Sequence, residues 1–248
     1  MKHFHSLTFK LIALSVLLVI VGSSVRYLLI EKTLRSGLEE VVNAQQLSLA
    51  QYVARDIDNK VLARRQALLQ VAQDLPRPLL RTPALLETWL RAQTGTLNLF
   101  PGGLVAVKPD GLGALADYPA MVERRQLDFN DRDWFTAVRS GADFAIGKPG
   151  IGRALKVAVV NMAVPVRDAQ QQLVAVLMGA TPLGAAGFLD LVETGNVGKT
   201  GGLLLISPRD QVFVTASEAS MRLKPLPAPG INPLHDRAMA GWRGTGVT

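Results

Sequence analysis

The stretch from Val159 to Gly179, VVNMAVPVRDAQQQLVAVLMG, contains two runs of apolar residues joined across Asp168-Ala169-Gln170. Both runs are rich in valine, and both carry apolar residues at consecutive positions as well as at alternate ones. This pattern is typical of strands that are covered on both faces, because a strand with one wet face alternates apolar and polar residues. The stretch therefore predicts two neighbouring strands buried on both sides.

Short strands and helices are predicted on both sides of this pair. Upstream, Leu104 to Val107 is predicted as a strand, and Pro109-Asp110-Gly111 as a turn in which Pro fixes φ and Gly accepts a positive φ. The further predicted elements are a helix PALLETWLRA, a returning strand LGALADYP, a helix from about Asp131 to Ser140 closed by Gly141, a helix GAAGFLDLVETG, a hairpin of GGLLLIS with QVFVTAS, and a short helix HDRAMAGW.

The N-terminus contains a stretch without charges, LIALSVLLVIVGSSV, from Leu11 to Val25. With its apolar flanks, residues 10–30 are long enough to span a bilayer as a helix. Lys2 and Lys10 precede the span, which predicts that residues 1–9 are cytoplasmic. A cleaved signal peptide with Gly22-Ser23-Ser24 near the cleavage site is the alternative.

Residues 31–75 predict one long stalk helix, because they contain no proline and one glycine, and prolines follow at Pro76 and Pro78. Such a helix is roughly 65 Å long at 1.5 Å per residue, and it must pack on a domain, pair with a second copy, or do both. We therefore expect a homodimer through this helix. The apolar stripe that carries this expectation consists of Leu34, Leu38, Val42, Leu49, Val53, Ile57, Val61 and Leu68.

The element order predicts an α+β chain with two small modules on the long helix, residues 76–190 and residues 191–248. The second module has only one predicted hairpin before Thr248, and a two-stranded sheet is marginal by itself. We therefore expect that the sequence is a piece of a longer protein and that this module is incomplete.

The composition excludes several classes of function. The net charge is +7, but the cations are scattered and no nucleic-acid motif is present, so we expect no nucleic-acid partner. The chain has no cysteine, and His3, His5 and His235 lie too far apart for a metal site. The segment GNVGKTGG lacks a phosphate loop's first glycine, because that position is Glu193. With no convincing acid–base pair, we expect no catalysis, no metal and no cofactor.

The hexapeptide NDRDWF, Asn130 to Phe135, places three charges and two aromatic residues at a predicted helix start. Helix capping by Asn130, with the aspartates near the positive helix end, explains all of it except Arg132. A guanidinium at this end is favoured only where it meets an acid or a bound anion, and an adjacent indole would shield that contact from water. Capping above a core and a ligand site are both open.

The segment LDFNDRDWFTAVRSG resembles the Arg-x-Trp-aromatic signature of double Cache sensor domains, where it lies beside the ligand pocket of the membrane-distal module. VKPDG, VVNMAVPVRDAQQQLVAVLMG and GKTGGLLLISPRDQVFVTAS are similar to further parts of that family in the same order. The resemblance covers residues 31–248 and implies two PAS-like Cache modules with central antiparallel sheets. It implies a periplasmic sensor anchored in the bacterial inner membrane, followed by a second membrane helix and a cytoplasmic output domain.

The type of output domain does not follow from any residue present. A general resemblance favours a diguanylate cyclase or phosphodiesterase, and so cyclic-di-GMP signalling; chemoreceptors and histidine kinases share such sensors.

The resemblance places Arg132 and Trp134 where amino-acid-sensing members hold a ligand carboxylate. Phe135 and Leu127 stand where tyrosines are usual, Gly150 where a third tyrosine would stand, and Ala180 where those members have an aspartate for the ligand ammonium. The carboxylate half of the site is therefore retained and the amine half is not. This predicts a small anionic ligand, of carboxylate type, without an amine.

Further residues are candidates for the same pocket. Lys148, Arg153 and Lys156 crowd the nearby glycine-rich segment. Trp134 and Phe135, with Phe144 or Tyr118, are expected to enclose the ligand. The three cations are equally compatible with a solvated surface. A membrane-anchored interaction or structural domain without a small ligand is the alternative function.

Overall fold

The computed structural model describes residues 7–198 and 201–246. Its first helix, α1, is Leu7–Asp74, so the predicted membrane span and stalk belong to one helix. The described chain divides into two compact units. Residues up to Leu49 belong to the first unit, together with those from Arg243, and Ala50–Trp242 form the second.

In the first unit, α1 exposes its apolar side chains between Leu11 and Ile30. Among the described residues, α1 is the one helix that is long and apolar enough to cross a membrane. The predicted cytoplasmic segment 1–9 lies largely outside the described residues.

In the second unit, α1 ends where Pro76 follows, and Arg77 satisfies the free carbonyl groups of the helix end. The Arg77 guanidinium donates to the carbonyl of Ala72 at 3.0 Å, to that of Leu75, and to that of Arg167 at 2.7 Å. The helix end is thereby fixed to a strand of the sheet. A 3-10 turn at Arg77–Arg81 follows, then α2 at Pro83–Arg91 and α3 at Thr94–Leu99.

The main sheet is antiparallel in all its pairings, and the two apolar runs form its two long strands. The strand order is β2-β1-β6-β5-β3, with β4 also on β5. The elements from the first strand to the last of this sheet are β1 Leu104–Val107, β2 Ala114–Tyr118, α4 Val122–Gln126, α5 Asp133–Arg139, β3 Ala145–Ile146, β4 Gly150–Ile151, β5 Ala158–Arg167 and β6 Leu173–Pro182.

The sheet is covered on both faces, as its sequence predicts. One face packs on the helix-side core, which contains Leu68, Val71 and Leu75 of α1 with Val160 and Met162 of β5. The other face packs on the cleft-side core, which contains Phe129, Trp134, Phe135 and Val138 with Ala163, Val176, Met178 and Ala180. Alternate residues of β5 and β6 therefore serve different cores, since successive side chains of a strand point to opposite faces.

A buried arginine fixes α1 to the loops at the edge of the helix-side core. Arg64 is 2% exposed. It donates to the carbonyl of Leu99 at 3.1 Å and to that of Gly187 at 3.5 Å, and its guanidinium lies 4.2 Å from the Phe188 ring centre. Burial lowers the pKa of Arg64, while the charge of Asp190 opposes that shift.

After the main sheet, the predicted helix GAAGFLDLVETG is wrong in extent, because only α6 at Asp190–Glu193 is helical. Gly187 has φ +84°, outside the helical range, and its N–H donates to the Asp190 carboxylate at 2.7 Å, which places a turn before the helix.

The remaining elements include the predicted hairpin and the last predicted helix. They are β7 Asn196–Val197, β8 Gly201–Gly202, β9 Leu204–Ser207, β10 Val212–Ala216, a 3-10 turn at Ala219–Met221 and α7 Pro233–Met239. Strands β9 and β10 pair with each other, and Asn232 caps α7 by accepting from the N–H groups of Leu234 and His235. The boundary between modules at residue 190 stays a prediction.

Candidate ligand-binding site

A cleft lies on the face of β5 and β6 that belongs to the cleft-side core, beside the start of α5. The centre of a water molecule can occupy a volume of about 60 Å³ within this cleft. Its walls come from three parts of the chain: the segment before α5, the segment 148–155 that carries β4, and the two long strands. The lining residues are Arg124, Leu127, Phe129, Arg132, Trp134, Lys148, Gly150, Ile151, Gly152, Arg153, Ala154, Leu155, Val159, Asn161, Met178 and Ala180.

The first residue of α5 is Asp133, and the prediction that Asn130 caps the helix is wrong. Asp133 accepts from its neighbour's N–H, that of Trp134, at 2.9 Å and from the N–H of Lys148 at 2.9 Å. Asn130 instead donates its side-chain amide to the carbonyl of Asp110 at 2.9 Å. Arg132 stands at the N-cap position without a side-chain cap. The Asp133 carboxylate therefore holds the segment 148–155 against the helix start.

Three cations of the cleft come from the predicted set. The Arg132 side chain is 31% exposed and lies 3.8 Å from Asp131. Arg153 forms an ion pair with the same Asp131 and donates to the carbonyl of Asp128 at 2.9 Å. Lys148 is held through its backbone N–H, as described above. Asp131 itself is not a lining residue, so the cleft presents cationic groups and no carboxylate among the described residues.

Trp134 contributes a hydrogen-bond donor that has no partner. It is 2% exposed, and its indole Nε1 is buried without a hydrogen bond among the described residues. Phe129 and Phe135 hold the indole, with ring centres 5.7 Å and 6.0 Å away. A buried unpaired donor costs about 1–3 kcal/mol, so this N–H is a position that an acceptor on a ligand would satisfy.

Behind the cleft lies a buried ion pair that the sequence did not reveal. Arg124 is 3% exposed, and its guanidinium donates to Asp117 at 3.4 Å and to the carbonyl of Gly102 at 2.6 Å. Burial raises the pKa of Asp117, against the lowering effects of the Met121 N–H and of the Arg124 charge. Burial likewise lowers the pKa of Arg124, and the Asp117 charge opposes this. Arg124 is thus a fixed cation in the cleft wall, and the buried carboxylate of Asp117 neutralises its charge.

The floor of the cleft comes from the two long strands. Val159 and Asn161 of β5 lie beside Met178 and Ala180 of β6, and Asn161 is the direct partner of Ala180 in the register. Apart from Ala180, which the family resemblance marks, these residues carry no local sequence signal, because they meet only through the pairing of the strands.

The structure brings four of the eight sequence-predicted site residues to this cleft: Arg132, Trp134, Lys148 and Arg153. Leu127, Gly150 and Ala180, the positions where the resemblance expects a tyrosine, a tyrosine and an aspartate, also line it.

The other four predicted residues do not line the cleft. Phe135 is fully buried in the cleft-side core, because consecutive helical residues point about 100° apart. Phe144 and Tyr118 pack against the helix-side core on the opposite face of the sheet. Lys156 is exposed in a turn, with φ 57°.

Among the described residues, no group of three His, Asp or Glu side chains is placed to hold a metal ion. The polar side chains among the described lining residues are those of arginine, lysine, tryptophan and asparagine, with no carboxylate or hydroxyl group.

No protein-family model matches the chain, and no curated protein matches its sequence. Solved structures do match its fold. The ligand-binding domain of the Pseudomonas fluorescens chemoreceptor CtaA with L-isoleucine has a TM-score of 0.57 at 19% identity, over 77% of this chain and 75% of that one. The ligand-binding domain of the Pseudomonas aeruginosa amino-acid chemoreceptor PctB with L-Arg has a TM-score of 0.60 at 19% identity, over 75% of each chain.

The corresponding domain of the Pseudomonas aeruginosa chemoreceptor PctC with GABA has a TM-score of 0.55 at 18% identity, over 77% of this chain and 85% of that one. The predicted resemblance and fold class are thereby confirmed. The chain has the fold of chemoreceptor ligand-binding domains of the double Cache type.

Proposed function

With that fold as the premise, we propose that the chain is the extracytoplasmic sensor of a transmembrane receptor and that it binds a small carboxylate in the cleft beside Trp134. The observation that carries the proposal is that Trp134, whose buried indole Nε1 has no partner among the described residues, lines the cleft together with Arg132. One neutral and one cationic donor on the same wall suit the two oxygens of a carboxylate.

The remaining lining supports an anion over a plain amino acid. Lys148 and Arg153 add positive charge, and Ala180 offers no acceptor for an ammonium group. The neighbours CtaA and PctB are described with amino acids and PctC with GABA, all of which carry an amine. In this cleft the ammonium group of such a ligand would lie against cations and apolar groups. The ligand that we propose therefore has no amine.

The affinity of such a site depends on enclosure as well as charge. A hydrogen bond to a charged group contributes about 1.5–3 kcal/mol net, whereas micromolar binding needs about 8 kcal/mol. Arg132 and Trp134 together account for part of this. The walls formed by Phe129, Leu155 and Met178 supply the apolar contacts that the remainder requires.

Signal transmission in this proposal passes through the sheet to α1. The strands that form the cleft floor pack their opposite faces on α1 residues of the helix-side core. Residues 10–30 of α1 lie in the inner membrane, and the sensor lies in the periplasm. The exposed apolar side chains of Leu34, Leu38 and Val42 pair α1 with a second copy. The chain is not catalytic in this proposal, and the output domain, cyclase or other, stays a prediction.

The test is thermal unfolding of the 248-residue chain in detergent micelles with acetate, propionate, succinate, glycine, ethylammonium and adenine. A ligand at one hundred times its dissociation constant adds about 2.7 kcal/mol, a rise in Tm of roughly 5–10 °C. We expect this for a carboxylate and not for ethylammonium or adenine. Arg132→Gln should abolish the shift, while Arg81→Gln, an exposed arginine on the 3-10 turn, should leave it unchanged.

A well-folded chain that no carboxylate stabilises would overturn the proposal. That result favours a membrane-anchored interaction domain without a small ligand.

A further inference from the structure

We propose that Asn161 determines which carboxylate the cleft prefers: a short one that carries a single uncharged hydroxyl or carbonyl group. This inference rests on the proposed function, because it takes the carboxylate to bind at Arg132 and Trp134. Asn161 would be a second contact for the ligand, on the floor of the cleft, and its amide would select acids with a hydroxyl or carbonyl group.

The strand register places Asn161 beside the position that lacks an acid. Asn161 of β5 pairs directly with Ala180 of β6, and both residues line the cleft. Side chains directly opposite each other on one face of an antiparallel pair lie about 4.5–5.5 Å apart at Cβ. The small methyl group of Ala180 therefore leaves the space above it open to the amide of Asn161.

The faces of the strand support the same placement. Val160 and Met162, the two neighbours of Asn161, belong to the helix-side core, whereas Ala163 belongs to the cleft-side core. Since side chains alternate along a strand, that of Asn161 lies on the face of the cleft.

The Asn161 amide is free to recognise a ligand. Its backbone carbonyl accepts from the N–H of Gly147 at 2.8 Å, but its side chain makes no hydrogen bond within residues 7–198 and 201–246. It is the only side-chain amide or hydroxyl among the described lining residues. An amide both donates and accepts, so it pairs with a hydroxyl or a carbonyl group on a ligand.

The charge of the lining residues and the volume of the cleft limit the class of ligand further. An ammonium group at this point would have no carboxylate to neutralise it among the described lining residues, and Arg124 and Arg132 would repel it. The centre of a water molecule can occupy only about 60 Å³ of the cleft, and this small volume favours a short acid over a long one. Three-carbon acids with one additional oxygen are short acids that carry both a carboxylate and a second polar group.

The experiment compares acids that differ in one group. Isothermal titration of the 248-residue chain in detergent micelles with propionate, lactate, 3-hydroxypropionate, pyruvate and alanine separates the contribution of that group from that of the carboxylate. One net hydrogen bond corresponds to roughly 2- to 13-fold in affinity. We expect at least one of the two hydroxy acids or pyruvate to exceed propionate by this factor, and alanine to bind more weakly than propionate.

Two variants of the residue test its role. Asn161→Leu should reduce the affinity for the preferred acid to that for propionate and leave propionate itself bound. Asn161→Asp should reverse the selectivity, with alanine gaining at least about tenfold relative to lactate, because a carboxylate then faces the ammonium. Asn59→Asp, the same change at an exposed position of α1, is the matched control and should change neither ratio.

The outcomes separate the two proposals. Binding of propionate that equals that of all the oxygen-bearing acids, or selectivity that Asn161→Leu does not change, would overturn the role of Asn161 and leave the carboxylate site standing. Failure of every acid to bind would overturn the proposed function and this inference with it.

Discussion

The carboxylate of Asp133 lies 3.4 Å from the guanidinium of Arg209, which ties the helix start at the cleft to the turn between β9 and β10. Asp133 also accepts from the N–H of Lys148, and Arg209 donates to the carbonyl of Ile146 at 3.4 Å. One carboxylate thus contacts both the cleft segment and the hairpin. The Asp133 carboxylate therefore links the cleft segment and the hairpin by direct contact.

The two sides of this contact differ in what they contribute to stability. Arg209 and Asp133 are 61% and 45% exposed, so Arg209→Gln should lower the free energy of unfolding by less than about 1 kcal/mol. Asp133→Asn should cost about 1–3 kcal/mol, because the N–H groups of Trp134 and Lys148 lose a charged acceptor. Denaturant unfolding of both variants and of the double variant measures the difference. Equal losses of unfolding free energy in Arg209→Gln and Asp133→Asn would contradict this prediction.

Gly147 is required by the position of the indole. A Cβ built at this residue would lie 2.5 Å from Cδ1 of Trp134, whereas one built at Gly95 on α3 meets no atom within 4 Å. Gly147→Ala should therefore displace Trp134, cost about 1–3 kcal/mol and remove carboxylate binding. Gly95→Ala should be neutral or stabilise the chain by up to about 1 kcal/mol. Unfolding curves and Trp fluorescence with propionate measure both effects, and unchanged binding in Gly147→Ala would rule out the indole as a ligand contact.

Arg64 and Arg65 are neighbours on α1 with different surroundings. Arg64 is buried against the carbonyl groups of Leu99 and Gly187, while Arg65 is exposed with its guanidinium 5.7 Å from the Phe144 ring centre. Arg64→Ala should cost about 3–5 kcal/mol, because it leaves both a cavity and unpaired acceptors. Arg65→Ala should cost less than about 1 kcal/mol. Chemical denaturation of the two variants measures both losses of unfolding free energy. Losses of similar size would show that Arg64 does not fix the helix.

The buried pair of Asp117 and Arg124 predicts a pH dependence. The pKa of Asp117 is raised above its usual value of 3.8 by burial, although the Met121 N–H and the Arg124 charge lower it. Its contribution to stability is therefore full below pH 3.8 and is lost as the pH rises through the raised pKa.

Arg124→Met removes the cation and should raise the pKa of Asp117 further. We expect a loss of about 3–5 kcal/mol at neutral pH, where Asp117 must be buried charged and without its partner. The loss should be smaller near pH 4, where Asp117 takes up a proton in the folded state. Urea unfolding of the wild type and of Arg124→Met at neutral pH and near pH 4 measures this loss. A loss of stability that becomes larger at acidic pH would contradict the predicted direction.

The fold was largely predictable because its main determinants are local and apolar. The runs that became β5 and β6 carry valines on both faces, and α1 is marked by an uninterrupted pattern ended by prolines. The extent of α6 was not predictable, because Gly187 and its bond to Asp190 place a turn where the sequence favours a helix.

The site was predictable where the NDRDWF motif, the cations of the glycine-rich segment or the family resemblance mark a residue. Arg132 and Trp134 are close in the chain, and both line the cleft. Phe135 was expected at the ligand because it is the last aromatic residue of the Arg-x-Trp-aromatic signature, but the turn of the helix directs it into the core. Asn161 reaches the cleft through strand pairing, and Arg124 is held at its wall by the buried carboxylate of Asp117; no local spacing reveals either contact.

The alternation along β5 has an evolutionary consequence. Val159 and Asn161 border the cleft, while Val160 and Met162 belong to the core that includes α1. Under the proposed function, neighbouring codons of this strand would be under different selection, those of Val159 and Asn161 for the ligand and those of Val160 and Met162 for packing on α1. Substitutions at the odd-numbered positions of β5 would then change the ligand while the packing on α1 is retained.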